Sequence, residues 1–279
     1  MSLFDGVLFA AAPPQDAIPN RNAPYEASGL LGVIGVFLPI TSVVIGIRIY
    51  SRVVLSGKFA LDDYLMAVAF LLGLIMIGFI LDMLNWGLGK HMWDVPLQPD
   101  LMPNWSFDNL IAAIMFCAAT GFAKGSILLF YLRIFPTRRM RWAVWLAFAF
   151  VMGFSAASVF VNIFSCNPVS GSWDLVASAK AVCIDRPLFY FAQAGLGIFA
   201  DILTLVLPLP MLSTLQLPFK QKVGVAVVLT MGGFVCVVSI VRLQTLNVLM
   251  TDTDLTSNII GGSIPALKPF VRRFFPRIL

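Results

Sequence analysis

The chain has 279 residues, of which 59% are apolar and 12% are charged, and its mean hydropathy is +0.90. An average globular domain is about 45 to 50% apolar and about 25% charged, so this composition excludes an ordinary water-soluble domain and indicates a membrane protein. The formal charge of +5 does not indicate a nucleic-acid partner, because the basic residues form short clusters between apolar stretches.

Six apolar stretches are long enough to cross a bilayer, since about 20 helical residues span a hydrocarbon core of roughly 30 Å. In chain order they are Gly29 to Ile49, Leu61 to Leu81, Asp108 to Tyr131, Trp142 to Ile163, Leu188 to Leu212 and Val223 to Leu243. The predicted fold class is therefore all-α, a polytopic transmembrane helix bundle. Residues 1–28 are expected to form an extracellular or lumenal tail, and residues 29–267 the transmembrane domain.

The distribution of basic residues predicts how the bundle is oriented. Thirteen of the 19 Lys and Arg residues fall in alternate loops or at the end of the chain, namely Arg48, Arg52, Lys58, Arg133, Arg138, Arg139, Arg141, Lys220, Lys222, Lys268, Arg272, Arg273 and Arg277. By the positive-inside rule these segments are cytoplasmic and the amino terminus is outside. Residues 268–279 then form a basic cytoplasmic tail. Span lengths do not separate the plasma membrane from an endomembrane.

A cytoplasmic tail requires an odd number of crossings and hence a seventh helix. The apolar run available for it is Leu255 to Leu267, which contains Asn258 and Pro265. Thirteen helical residues cover only about 20 Å, less than the core thickness. We therefore expect a seven-helix plan with an atypically short or incomplete seventh helix.

Ionisable residues inside the apolar stretches are the first candidates for function. Lys124 lies in the third span and Asp201 in the fifth, and both are expected in the cytoplasmic half of the membrane. A lone charge near the middle of a span costs roughly 2.5 to 3.5 kcal/mol, so such groups pair or mark a working site. We predict that these two meet, either as a structural ion pair or as a proton-relay, ligand-binding or switch element.

Two adjacent carboxylates, Asp62 and Asp63, open the second span. The helix macrodipole and the free N–H groups of a helix start favour carboxylates there, so one of them is expected to cap the helix. The other is expected to point toward Lys124 or Arg133.

The predicted outer face carries the remaining candidates. Cys166 and Cys183 fall in one outer loop, where an oxidising compartment favours a disulfide, and no histidine lies near enough to make a zinc site. His91 and Trp93 lie in another outer loop, with either an interfacial or a ligand-sensing role. Arg242, at the outer end of the sixth span, either snorkels or pairs with an outer-loop acid.

A set of motifs in consistent order resembles the fungal rhodopsin-like-domain integral membrane proteins. They are Leu61-Asp62-Asp63-Tyr64, Gly87-Leu88-Gly89-Lys90-His91 with Trp93, Lys124-Gly125-Ser126 through Phe135-Pro136, Cys166 with Pro168 and Cys183, Asp201-Ile202 with Pro208 and Pro210, and Ser239-Ile240-Val241-Arg242. The resemblance implies a seven-helix plasma-membrane or endomembrane protein, in a family that includes receptor-like members and a member of the satratoxin biosynthetic cluster.

The sequence favours a receptor-like function with a small-molecule ligand and a cytoplasmic signalling partner. Retinal is not expected, because the last helix has no lysine placed for a Schiff base, and no other cofactor or metal is indicated. The alternative is an accessory, transport or cyclase-like component of a secondary-metabolite pathway. In a cyclase, Asp62, Asp63 and Asp201 would serve as proton donors. An enzymatic role is the less favoured interpretation.

Overall fold

The computed structural model of the chain describes residues 2–4, 7–9, 27–55, 57, 59–89, 101–134, 137–209, 232–233, 236–237 and 239–240. Two short antiparallel strand pairs accompany the helices in these ranges. Strands β1 (Ser2–Phe4) and β2 (Val7–Phe9) form one pair, and β3 (Cys166–Asn167) and β4 (Val182–Cys183) form the other. Neither strand pair was expected from the sequence.

Long helices make up the rest of the described chain. They are α1 (Ser28–Tyr50), continued by a π-helical turn at Ser51–Leu55, then α2 (Leu61–Asn85), α3 (Leu101–Ile134), α4 (Arg138–Ile163), the short α5 (Leu175–Ser178) and α6 (Arg186–Val206). Five of them are long and apolar enough to cross a membrane. The prediction of an all-α, polytopic transmembrane bundle is confirmed.

The sixth span is described only in part, where residues 232–233, 236–237 and 239–240 are helical. The predicted seventh helix and the basic tail lie outside the described residues. So do most of residues 1–28, the predicted tail.

Two helix boundaries differ from the sequence prediction by more than four residues. Helix α3 begins at Leu101 instead of Asp108, and its 34 residues reach about 51 Å, more than the core thickness. Helix α6 ends at Val206, although the apolar pattern continues to Leu212. Leu207 keeps right-handed helical geometry and its N–H donates to the Leu203 carbonyl, but Pro208 has no N–H with which to continue the helical hydrogen bonds.

Helix α2 ends in a Schellman motif. Gly87 has a φ of 99°, its N–H donates to the Leu84 carbonyl, and the Leu88 N–H donates to the Met83 carbonyl at 3.0 Å. Glycine reaches this left-handed conformation without a steric penalty. Met83 and Leu88 are both buried. The motif therefore fixes where α2 ends.

The helices pack around α3, which contacts α2 along one side and α4 along the other. The buried core lies where α3, α4 and α6 meet and consists of Leu128, Tyr131, Met140, Val144, Ala147, Val151 and Ala200. Small residues let α3 and α4 approach closely, since a Cβ added at Gly121 would lie 2.2 Å from Ser155 Oγ. Helix α1 is peripheral, and most of its described side chains are exposed.

Candidate functional site

Two arginines and two aspartates meet where α1 and α2 approach each other, and we call Arg48, Arg52, Asp62 and Asp63 the four-charge cluster. Arg48 Nη2 lies 2.8 Å from Asp62 Oδ2, and Arg48 Nε lies 2.9 Å from Asp63 Oδ1. Arg52 Nε lies 3.4 Å from Asp63 Oδ2 and its Nη2 lies 4.0 Å from Asp62 Oδ2. Arg48 therefore makes the tighter contacts and holds both carboxylates at once.

The local sequence places these four charges together. Arg48 and Arg52 are four residues apart at the end of the first span, so they lie on the same side of the helix. Asp62 and Asp63 lie in the first turn of α2, where the helix dipole favours carboxylates. Asp63 also accepts a long hydrogen bond from the Ala60 N–H, at 3.4 Å, as the capping prediction required. The two carboxylates are buried, with 4% and 3% exposure.

The partner predicted for the second aspartate was wrong. Asp62 and Asp63 contact Arg48 and Arg52 and not Lys124 or Arg133. Lys124 pairs elsewhere, and the Arg133 side chain is exposed. The arginines had been interpreted only as orientation signals in a loop. Their four-residue spacing opposite an Asp-Asp pair is the signal that would have identified them.

Two residues of helix α3 contact the four-charge cluster. Ser126, which is fully buried, donates from Oγ to the Asp62 carbonyl at 2.7 Å. The Arg48 guanidinium lies 6.0 Å from the centre of the Phe130 ring, within the range of a weak cation–π contact. Three helices thus contribute to one group of charges.

A second charged contact joins α3 to α6. Lys124 Nζ lies 3.0 Å from Asp201 Oδ1, and the two side chains are only 12% and 10% exposed. The structure therefore brings together the two intramembrane charges that the sequence singled out.

Neutral groups complete this contact. Lys124 Nζ donates to the Gly197 carbonyl at 3.2 Å, and Ser239 Oγ donates to Asp201 Oδ2 at 3.1 Å. The pair thus joins α3, α6 and the helical part of the sixth span. Removing one partner of such a pair leaves a buried charge uncompensated, whereas the intact pair is nearly neutral in energy. Loss of either partner would therefore be costly.

A disulfide closes the loop between α4 and α6, which confirms that prediction. Cys166 and Cys183 face each other across strands β3 and β4 and are joined through their sulfur atoms. Trp173 within the loop packs edge-to-face on Phe107 of α3, with ring centres 5.6 Å apart. The loop is thereby fixed on one end of the bundle.

The other outer-face candidates, His91, Trp93 and Arg242, lie outside the described residues. The described part of the chain holds no cluster of three or more His, Cys, Asp or Glu residues that would suit a metal ion.

Most of the chain is similar to a known protein family. Residues 47–267, most of the chain, match the family described as fungal rhodopsin domain. The matched region contains the four-charge cluster and the Lys124–Asp201 pair. No solved structure matches the chain.

Three proteins with similar sequences carry different kinds of names. A "SAT4 family membrane protein" of Emericella nidulans is 31% identical over 54% of this chain and 42% of its own length. "Fugralins biosynthesis cluster protein 2" of Gibberella zeae is 28% identical over 84% of this chain and 60% of its own length. "Receptor GIN3" of Arthrobotrys oligospora is 25% identical over 88% of this chain and 62% of its own length. The chain thus spans about two fifths to three fifths of these relatives.

Proposed function

The chain belongs to the fungal rhodopsin domain family, and from that membership we propose that it is a receptor-like membrane protein that does not use retinal. In this proposal a small molecule biases the arrangement of the helices, and a cytoplasmic protein reads the change. The amino terminus is outside and the carboxyl terminus cytoplasmic, in the plasma membrane or an endomembrane. The five long apolar helices imply that a lipid bilayer surrounds the protein.

The observation that carries the proposal is the Lys124–Asp201 pair. It joins α3 to α6 at 3.0 Å and reaches the sixth span through Ser239. A ligand shifts a conformational equilibrium only by binding its two states unequally. In this proposal the closed pair is one of these states, and a state in which the two side chains separate is the other.

In this proposal the four-charge cluster is affected by movement at the Lys124–Asp201 pair. Ser126 of α3 reaches the Asp62 backbone, and Lys124 lies two residues earlier on the same helix. Displacement of α3 at Lys124 therefore bears on the cluster between α1 and α2, which the positive-inside rule puts on the cytoplasmic side. The name of one relative, "Receptor GIN3", agrees with this interpretation.

Complementation of a deletion strain of the source fungus tests the proposal. The wild-type gene, the variants Lys124→Met and Asp201→Asn, and the charge exchange Lys124→Asp with Asp201→Lys are each introduced. We expect the single variants to change the transcript profile toward the deletion or toward constitutive activation, and the charge exchange to restore part of the wild-type profile. Surface or membrane abundance of each variant is measured in parallel.

The exposed residue Arg139 provides a control outside both charged groups. Arg139→Gln should leave the profile unchanged. Normal transcript profiles in Lys124→Met and Asp201→Asn strains, with normal membrane abundance, would contradict the receptor proposal.

A second candidate is an accessory or transport role in secondary-metabolite biosynthesis. It is favoured by the printed name of the Gibberella zeae relative, which refers to a biosynthesis cluster. Deletion should then cause a pathway intermediate to accumulate, and a normal metabolite profile would exclude this role. A cyclase-like reaction is less favoured, because Asp62, Asp63 and Asp201 each contact a cation.

A further inference from the structure

A buried group of neutral polar side chains lies between α3, α4 and α6, apart from both charged groups. We call Cys117, Ser155, Asn162 and Gln193 the Cys117 cluster. Ser155 Oγ donates to the Cys117 carbonyl at 2.7 Å, and Asn162 Nδ2 donates to the Ser158 carbonyl at 2.7 Å. Gln193 Nε2 lies 3.0 Å from Cys117 Sγ, and Asn162 Nδ2 lies 3.8 Å from the same atom.

The cluster lies toward the end of the bundle that carries the disulfide. Asn162 is in the last turn of α4, and Gln193 is two turns into α6, roughly 10 Å along the helix from Arg186. Cys117 and Asn162 are 6% and 3% exposed. The Lys124–Asp201 pair is about two turns farther along both helices.

Gln193 has one polar atom that nothing in the described chain satisfies. Its Oε1 is buried and has no hydrogen-bond partner among the described residues. A half-turn of the glutamine amide exchanges the positions of its oxygen and its nitrogen. In either orientation one end faces Cys117 Sγ, which both donates and accepts weakly, and the other end remains unsatisfied.

An unsatisfied amide in this place is costly. Lipid tails offer no donor or acceptor, and a buried amide without a hydrogen bond is strongly disfavoured in hydrocarbon. A hydroxyl group can pair with the unsatisfied end in either orientation of the amide, because it both donates and accepts. The cluster contains no ionised side chain, so the molecule that brings the hydroxyl is neutral.

The surroundings indicate that the rest of this molecule is apolar. Phe160 of α4 and Phe191 and Leu196 of α6 are exposed on the helices that carry the cluster, and in a bilayer such faces contact lipid. We propose that the Cys117 cluster is a binding site for a neutral, lipophilic molecule bearing a hydroxyl group, with that hydroxyl at the Gln193 amide. This goes beyond the receptor proposal and does not depend on it, since binding is measured without any signalling output.

Photolabelling of the full chain in phosphatidylcholine nanodiscs tests the site. The probes are decanol carrying a diazirine and the matching decane without the hydroxyl. We expect the hydroxyl probe to label peptides around Cys117, Asn162 and Gln193 about fivefold more than the decane probe, the difference that one neutral hydrogen bond provides. Unlabelled decanol should compete, and unlabelled decane should not.

Two variants make the test specific. Gln193→Leu should reduce labelling by the hydroxyl probe to the level of the decane probe. Thr120→Val is the matched control, because Thr120 lies one turn from Cys117 and its hydroxyl bonds only to Phe116 of its own helix, at 2.7 Å. Labelling of Thr120→Val should equal that of the wild type.

Thermal unfolding separates loss of the site from loss of the fold. Gln193→Leu removes an unsatisfied buried amide, so its midpoint without probe should equal or exceed that of the wild type. Equal labelling by the two probes in the wild type would overturn the proposal, as would hydroxyl-specific labelling that persists in Gln193→Leu. The first result would mean that the site does not recognise a hydroxyl group, and the second that a group other than Gln193 binds it.

Discussion

The buried hydroxyl of Ser126 donates to the backbone carbonyl of Asp62 at 2.7 Å, two residues along α3 from Lys124. One helix therefore touches both charged groups, the four-charge cluster through Ser126 and the Asp201 carboxylate through Lys124. A rigid helix with contacts at both places is a direct physical link between them.

Ser126→Ala should weaken this link without abolishing the fold. An interhelical hydrogen bond inside a bilayer contributes about 1 kcal/mol, so the free energy of unfolding should fall by about that amount. Ser42→Ala is the control, because Ser42 is exposed and donates only to Leu38 of its own helix. Unfolding by sodium dodecyl sulfate in mixed micelles measures both variants, and equal effects would contradict the proposed link.

The Lys124–Asp201 pair should show strong coupling in a double-mutant cycle. Lys124→Met and Asp201→Leu should each lower the free energy of unfolding by about 3 to 5 kcal/mol, because each leaves a buried charge unpaired. The double variant should be close to the wild type, since two apolar side chains need no charge partner. Additive losses in the double variant would show that the two side chains do not interact.

Close packing of α3 on α4 predicts opposite outcomes for two glycines. A Cβ at Gly121 would lie 2.2 Å from Ser155 Oγ and 2.5 Å from Ser155 Cβ, whereas a Cβ at Gly153 would meet nothing within 4 Å. Gly121→Ala should therefore cost about 1 to 3 kcal/mol in unfolding free energy, and Gly153→Ala should not destabilise. Adding Ser155→Gly to Gly121→Ala should recover part of the packing loss. Equal stability of the two alanine variants would contradict the close approach.

The disulfide should stabilise the loop between α4 and α6. Cys166 and Cys183 are 17 residues apart, and closing a loop of this size is worth about 3 kcal/mol. The double variant Cys166→Ser with Cys183→Ser should unfold at a lower temperature than the wild type, and a reductant should lower the wild-type midpoint only. A wild-type midpoint that is insensitive to reductant would count against this role.

Orientation is tested by chemical labelling of lysines. Lys180 is exposed in the disulfide-closed loop, which follows the end of α4. Arg139 is exposed at the start of α4, so the predicted topology puts these two residues on opposite faces of the membrane. In intact cells that carry the protein in the plasma membrane, a membrane-impermeant amine reagent should modify Lys180. A lysine introduced as Arg139→Lys should react only after permeabilisation. The reverse pattern would invert the predicted topology.

The sequence determined the features that a bilayer imposes directly. Lipid requires long apolar helices and penalises unpaired charge, so the five described spans, the cysteine pair and the pairing of Lys124 with Asp201 could be predicted from composition and position. Helix ends were less accurate. The apolar pattern continues to Leu212, whereas α6 ends at Val206, and it does not show that α3 begins as early as Leu101.

Only the tertiary structure decided which groups meet. The sequence led us to expect Lys124 or Arg133 beside the aspartates of α2, and this expectation failed because partner choice depends on how helices rotate and cross. Packing turns Arg48 and Arg52 toward those aspartates and leaves Lys124 for Asp201. The unsatisfied amide of Gln193 was invisible for the same reason, since a polar atom lacks a partner only once its neighbours are fixed.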